Sequence, residues 1–585
     1  MGADGQMTEQ EVSWPPTNEQ DAEAKQAFVD AIDPAAVCGL ASRLGGGRAC
    51  RTFQEPARGS FNVCFFVELA ATDGAAETRW VVRVPIGPAL HDVRAKVESE
   101  VATMRYVASK TTIPVTRVHG HGHDVALGRS PDDEARQCSF LVVDFVAGEP
   151  LDLAAFLDDT PARQHRLYSQ LLDVLAQLRG LTFATGGSLM PGPDAGPEAD
   201  PIVGPLQCTG YNELQRLTRG HTSTSTTLGP YRTAADFVLA QLHVLQAAFD
   251  VPMASASLAN LRMEAFALHD LRGRLVDVLD QQGHEHDHHT FVLAHTDLRW
   301  SNIIVDEHLT IRGIIDWEWS AAVPLLFFQP PTWLAGPSPC YVASLAYEKA
   351  YEQFHGVLED MVGGHGGDEC GHGDKAHADK VKDDKANADK AGDARLKHHY
   401  SLLQSTWDVG LPGRIDLALA VILQQHHHLV PAYYFSVFPR FHDITRSRHH
   451  MPPAIVARLL ALDADVGGPL TRDVARRWRV AYAFRRHLDA AGLLIEYELA
   501  PETRVWLAER DGAHADMLED ALCEQQHDRH DRSPAHDFVR MLLESVLQAS
   551  IQPRNVEPLL NSPVLSWAGA PNPKETRKQQ MKTTG

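Results

Sequence analysis

The stretch HTDLRWSNIIVDEHLTIRGIIDWEW, residues 295–319, sets Asp297, Asn302 and Asp316 among almost uninterrupted apolar strand formers. If NIIVD and IRGIID are the strands of a hairpin joined by EHLT, antiparallel pairing about a midpoint near residue 309 puts Asn302 within one residue of Asp316 in register. Asp297 lies five residues before Asn302, on the loop that enters the hairpin, and faces the same space. A hard cation such as Mg²⁺ takes oxygen ligands and keeps water and phosphate oxygens in its shell, so one carboxylate and one amide oxygen suffice from the protein. Asn302 and Asp316 fit that role. Phosphoryl transfer also needs a carboxylate that takes or orients the acceptor's hydroxyl proton without being tied to metal, and Asp297 is the candidate. A single Asp or Asn on a loop is ordinarily a turn former bonded to its own backbone. Three in hairpin register point instead to one site. A two-metal phosphohydrolase would ask for more His and carboxylate ligands than this segment offers.

The elements that must position these residues can be read from periodicity. Residues 1–20 are polar; DAEAKQAFVDAID and PAAVCGLASRL then read as two short helices ending at Gly45, Gly46 and Gly47. Phe61, Val63, Phe65, Val67 and Leu69 alternate as in a strand, and TRWVVRVP puts Trp80, Val82 and Val84 on one face with Arg83 on the other. Between these two strands AATDGAAE is a hairpin loop. Val93, Val97, Val101 and Met104 recur at helical spacing in a helix that must finish before TTIP, and SFLVVDFV reads as a further strand. From about Thr160 the pattern turns helical, interrupted by a Gly, Pro, Ser and Thr-rich stretch near 185–230. Residues 363–395 mix Gly and His with an irregular ADK/DDK repeat and read as a solvated, disordered insertion, as does the tail after about Asn561. The expected organisation is an extension with short helices (1–44), an N-terminal nucleotide-binding lobe (45–146), a C-terminal catalytic and substrate lobe (147–450), a helical extension (451–560) and a disordered tail (561–585).

Composition bounds the partners. Of 585 residues, 44% are hydrophobic and 22% charged, close to globular averages, so the bulk of the chain should fold. A formal charge of -22 repels phosphate backbones and anionic membranes, which argues against nucleic acid and membrane partners. The eight cysteines include no CxxC pair, as expected of reduced thiols in a large intracellular protein. The N-terminus lacks a basic region followed by an apolar run, and no run approaches the roughly 20 apolar residues of a membrane span. A cytoplasmic location is the expectation. The runs HGHGH (119–123), HEHDHH (284–289) and HHH (426–428) invite a transition-metal reading, but a variable loop before the strand TFVLAH is the plainer account of the second. In LLFFQPPTWL, Phe328 and Trp333 are read as apolar packing between helices rather than pocket lining.

The pair of motifs HTDLRWSN and IIDWEW resembles the aminoglycoside phosphotransferase family, which shares the two-lobed protein-kinase-like fold. GSFNVCFFVEL, RWVVRVP, ESEVATM, IPVTRVHG, FLVVDFVAGEPL, LAQLRGLTF and VPLLFFQPPTWL resemble it in order, closest to its fungal branch, from about 45 to 440. The resemblance implies an α+β fold with a small β-sheet lobe and a larger, mostly helical lobe. It implies Asp297 as catalytic base, Asn302 and Asp316 as Mg²⁺ ligands, and His295 as a structural support. By the same analogy Gly59, Ser60, Phe61 and Asn62 form the turn over the nucleotide phosphates, and the hinge beside the base runs through Val143, Asp144, Phe145 and Val146. Arg83 stands where the family usually has Lys, with Glu100 as its partner acid. Arg keeps the charge and can bond a carboxylate or phosphate through two N–H groups, but it is bulkier than Lys. Thr296 replaces the common Gly, and Arg299 and Trp300 the common His-Pro. Arg299 either helps neutralise the transferring phosphoryl group or forms a loop salt bridge. The implied activity is Mg²⁺-dependent transfer of the γ-phosphate of ATP or GTP to a hydroxyl of a small molecule. The alternative is a nucleotide-binding scaffold with little turnover; a protein acceptor is disfavoured because DWE replaces Asp-Phe-Gly and no Ala-Pro-Glu follows.

Overall fold

The computed structural model describes residues 14–72, 76–129, 137–192, 199–218, 228–253, 256, 258–282, 290–363, 396–408, 415–441 and 469–494. The expected insertion beyond residue 363, the HEHDHH run, most of the expected helical extension and the tail lie outside these residues. The chain divides into two units, Met1–Pro56 with Val63–Asp443 and Gly468–Glu498, and Ala57–Asn62 with Ile444–Gly467 and Leu499–Gly585. Of the second unit only 57–62 is described, a turn in which Gly59 N–H donates to Asn62 O at 2.8 Å.

Helix α1 (Asn18–Asp30) opens with a capping box in which Thr17 and Gln20 satisfy each other's backbone N–H, and α2 (Pro34–Leu44) with Asp33 as N-cap and Pro34 in the first turn. A five-stranded sheet follows, built from β1 (Cys50–Arg58), β2 (Asn62–Leu69), β3 (Thr78–Pro85), β4 (Val118–Ala126) and β5 (Gln137–Asp144) in the order β1-β2-β3-β5-β4. Its inward residues, among them Val63, Phe65, Val67, Trp80, Val82, Val84, Phe140 and Val142, form one core with Val37, Leu40 and Ala41 of α2. Each such aliphatic side chain contributes roughly 1.5–3 kcal/mol on burial. Two strands escape the periodic reading. β1 is exposed at most positions. β4 carries the HGHGH run, whose glycines are packing residues: a Cβ at Gly120 would meet the Leu44 side chain at 2.9 Å, and one at Gly122 the Phe140 ring at 2.9 Å.

Helix α3 (Val93–Lys110) is capped by Asp92, which accepts from Ala95 N–H, and it buries Lys96 and Glu100 along with Val97, Val101 and Met104. It is held at both ends by side chains from later in the chain. Beyond β6 (Glu149–Pro150), α4 (Leu153–Leu157), α5 (Pro161–Arg179), β7 (Thr182–Phe183), β8 (Leu189–Met190) and β9 (Ile202–Val203) comes α6 (Thr209–Thr218). The 185–230 stretch is therefore not a plain interruption. Asn212 of α6 is buried; its Oδ1 accepts from His91 N–H at 2.8 Å and its Nδ2 donates to Ala89 O at 3.0 Å, just ahead of α3. At the other end Gln177 of α5 accepts from Thr112 N–H at 2.7 Å.

The rest is mainly helical, with α7 (Ala234–Ala248) and α8 (Leu258–Gln282) ahead of the strands that carry the opening motif. These are β10 (Phe291–Ala294), fully buried between β13 (Ala321–Pro324) and β7, and the hairpin of β11 (Ile303–Val305) and β12 (Ile311–Ile314), which also pairs with β6. The hairpin turn is set by Asp306, whose Oδ1 accepts from His308 and Thr310 N–H at 2.9 Å each, and by Gln170 of α5, which accepts from Ile311 N–H at 2.9 Å and donates to Leu309 O at 3.0 Å. Helices α9 (Leu345–Gly363), α10 (396–408) and α11 (Ile415–Gln424) follow, α11 with nine buried residues in a row. Phe328 and Trp333 are buried between these elements.

The helix Pro469–Ala490 packs on α8, where burial raises the Glu264 carboxyl to about 7 and the nearby Arg477 only partly opposes it. A carboxyl raised in the folded state contributes stability that is complete below its unfolded pKa of roughly 4.3 and is lost as pH rises through about 7. Glu264→Gln should therefore stabilise the protein by roughly 1–3 kcal/mol at pH 8 and by little at pH 5, read from urea unfolding at the two pH values.

Candidate active site

The site begins where β10 ends. His295 is buried and its Nε2–H donates to Ile315 O at 3.0 Å; the carbonyl can only accept, which fixes the tautomer. Burial is the main influence on its pKa and lowers it, so the imidazole supports the loop as a neutral donor. Thr296 Oγ1 donates to Trp319 O at 2.8 Å, and Leu298 O accepts from the Trp333 indole at 2.9 Å. Thr296 thus has a bonding role that the Gly common in the family could not fill. A short 3₁₀ turn, Trp300–Asn302, carries the chain into β11.

Asn302 is buried and its Nδ2 donates to Asp297 O at 2.8 Å and, more loosely, to Asp297 Oδ2 at 3.3 Å. Ile303 pairs with Ile314, and Ile315 N–H donates to Asn302 O at 3.0 Å, so Asp316 stands one residue beyond Asn302's partner. The expected register therefore holds to within its stated margin. Asp316 has φ of 68°, left-handed backbone that a non-glycine residue adopts only where its surroundings impose it. Trp317 imposes it from one side, buried with its Nε1–H on Ile314 O at 2.9 Å.

The Asp297 carboxylate keeps 34% of its side-chain surface exposed and sits 3.2 Å from Arg299 Nη2. Desolvation raises it to about 6, with Arg299 pulling down and Asp316 pushing up, so near neutral pH it is mostly ionised and able to accept a proton. Of the two open readings of Arg299, the loop salt bridge is the one this structure contains.

Asp316 connects the loop to the sheet. Arg83 donates to its Oδ1 at 2.6 Å, and Arg83 Nη1 also pairs with Glu100. Burial works against ionisation of Asp316, but Arg83 and Lys96 together hold its pKa below the usual carboxylate range. Arg83 stays fully charged for the converse reason: burial opposes it and Glu100 and Asp316 outweigh burial. Two side chains absent from the expectations complete this cluster. Lys96 is 1% exposed and pairs with Glu318, with Glu100 Oε2 at 3.5 Å, while Glu318 Oε2 is 3.7 Å from Arg83. Lys96 was legible in principle: it stands four residues before Glu100 on α3, so any face that buries one buries the other. Glu318 was in plain view within IIDWEW.

The donor set fits a hard cation. With its Nδ2 committed to Asp297, Asn302 presents an Oδ1 that accepts no hydrogen bond among the described residues, and the same is true of Asp316 Oδ2. One carboxylate and one amide oxygen are what Mg²⁺ commonly takes from a protein alongside water and phosphate. Of the expected hinge, Val143 and Asp144 end β5 in register with Val81 and Trp80, Phe145 N–H donates to Arg79 O at 3.1 Å, and Val146 lies against Gly313 of β12. Phe145, Phe53 and Phe66 meet edge to face at 5.3–6.2 Å between ring centres. Gly59, Ser60, Phe61 and Asn62 form the β1–β2 connection in the second unit. Of the histidine runs, HGHGH lies on β4 and HHH forms a 3₁₀ turn, His426–His428. No helix among the described residues is long and apolar enough to cross a membrane.

Residues 58–326 match the model of the phosphotransferase enzyme family, so the resemblance seen in the motifs is borne out. Among solved structures the chain is similar to an ethanolamine kinase from Plasmodium vivax, at 13% identity over 74% of this chain and 99% of that one, with a TM-score of 0.35. It is similar as well to a macrolide 2'-phosphotransferase from Brachybacterium faecium, at 16% identity over 68% and 97%, with a TM-score of 0.28. No curated protein matches the chain.

His295→Leu should destabilise the protein by about 1–3 kcal/mol in a denaturant titration, because it leaves the Ile315 carbonyl, in a part-buried bond, without its donor.

Proposed function

We propose, from the match of residues 58–326 to the phosphotransferase enzyme family model, that this protein transfers the γ-phosphate of ATP or GTP to a hydroxyl of a small molecule. The observation that carries the reading is the pairing of Asp297 with Asn302 across the loop that enters the β11–β12 hairpin, with Asp316 one residue past register. It separates a carboxylate able to accept a proton from two oxygens able to hold a cation.

Asp297 receives the acceptor's hydroxyl proton as the oxygen attacks phosphorus, and its position is fixed by the bond from Asn302 to its own carbonyl. Arg299 keeps Asp297 ionised while the site is empty and is then available to the incoming phosphoryl oxygens. Asn302 and Asp316 hold Mg²⁺, which when bound neutralises charge on the nucleotide phosphates. Arg83 takes the place of the family's lysine, bonded to Glu100 and able to reach a phosphate oxygen through its second nitrogen. The backbone from Val143 to Val146 faces the base. The half-buried Phe145, Phe53 and Phe66 give that end of the cleft apolar character.

Asp297→Asn should lower turnover by at least 10²-fold, in keeping with the loss of a general base, while nucleotide affinity changes little. The check is nucleotide consumption against a panel of aminoglycosides, choline-like amines, sugars and amino-acid alcohols, with binding followed separately. Full activity in the variant would remove Asp297 from this role. Nucleotide binding by the wild type without turnover on any acceptor would favour a scaffold instead.

A further inference from the structure

Lys96 is a buried ammonium that the proposed chemistry does not use. It is 1% exposed, so it is shielded from solvent, yet it pairs with Glu318 and lies 3.5 Å from Glu100. Glu318 belongs to the loop that presents Asp316, two residues further on, and Glu100 is the partner of Arg83. Arg83 in turn touches Asp316 at 2.6 Å and Glu318 at 3.7 Å. Five charged side chains from β3, α3 and this loop thus share one space, two cationic and three acidic.

The sharing matters for Asp316. One face of its loop is fixed by backbone bonds, Ile315 N–H to Asn302 O at 3.0 Å and His295 to Ile315 O at 3.0 Å. The other is tied to α3 through Glu318. Without Lys96 the carboxylates of this cluster would compete more strongly for Arg83, because a buried carboxylate that loses a paired cation draws the nearest one more closely to itself. Arg83 would then be held by Glu318 and Glu100 rather than left able to exchange Asp316 for a phosphate.

We infer that Lys96 is a positioning residue for the magnesium site: by pairing with Glu318 it anchors the loop of Asp316 to α3 and keeps Arg83 available to the phosphates. The inference rests on the phosphotransferase reading of the site. It assigns the metal-binding loop a support on a helix more than 200 residues earlier in the chain.

The test is the Mg²⁺ dependence of binding of a non-hydrolysable ATP analogue, measured by calorimetry, which requires no turnover. Lys96→Met and Glu318→Gln should each raise the Mg²⁺ concentration needed for half-maximal binding by about tenfold, and the double variant should be no worse than either single, as partners that act as a pair are. Glu318→Gln keeps the test decisive if Lys96→Met does not fold. Single variants that melt at lower temperature but bind with an unchanged Mg²⁺ requirement would overturn the inference, as would a double variant whose loss is the sum of the two single losses. A wild-type protein that binds no nucleotide at any Mg²⁺ concentration would sink the phosphotransferase reading itself. Wild-type binding with indistinguishable variants would sink only the role of Lys96.

Discussion

The buried contact among Arg83, Glu100, Asp316, Glu318 and Lys96 is the constraint on which the rest of the site depends. Each of these groups loses several kcal/mol of hydration when it leaves water, and recovers it only if opposite charges close around it with good geometry. A sheet strand, a helix and a loop that each contribute part of such a cluster cannot drift apart one at a time. The ion pairs therefore specify where α3 lies against β3 and the Asp316 loop, while the apolar core beneath the sheet supplies bulk stability without specifying that relation.

The catalytic loop achieves its order by a different route. Between His295 and Ile315 the bonds run mostly from side chain to backbone or backbone to backbone, with the Thr296 hydroxyl on Trp319 O and the Asn302 amide on Asp297 O. Such bonds hold polar groups at fixed distances in a segment surrounded by buried strands, where an unmade bond is costly. Asp297 is the exception: its carboxylate reaches the surface while its backbone is held.

Much of this was legible in the residues alone. The hairpin followed from alternation and a short turn, α3 from its Val and Met spacing, and the Arg83–Glu100 pair from the family resemblance. Strand β1 was missed because its exposed residues carry no burial pattern, and β4 because its glycines interrupt apolar alternation where they admit Leu44 and Phe140. Lys96 and Glu318 were missed for a deeper reason. A charged residue gives no local sign of burial when its counter-ion is supplied from a distant segment, and Asn212 likewise gains its meaning only once α6 reaches the chain ahead of α3.

The two clamps on α3 bear on how the cleft can work. In a kinase-like arrangement the helix carrying the partner acid could serve as a lever, swinging out to disengage that acid and back to restore it. Here Asn212 fastens the approach to α3 and Gln177 its exit, both from the part of the chain that follows the sheet. A beam pinned at both ends has no free end to swing. Its acid, Glu100, is in effect a fixed post, and Arg83 takes its place against it.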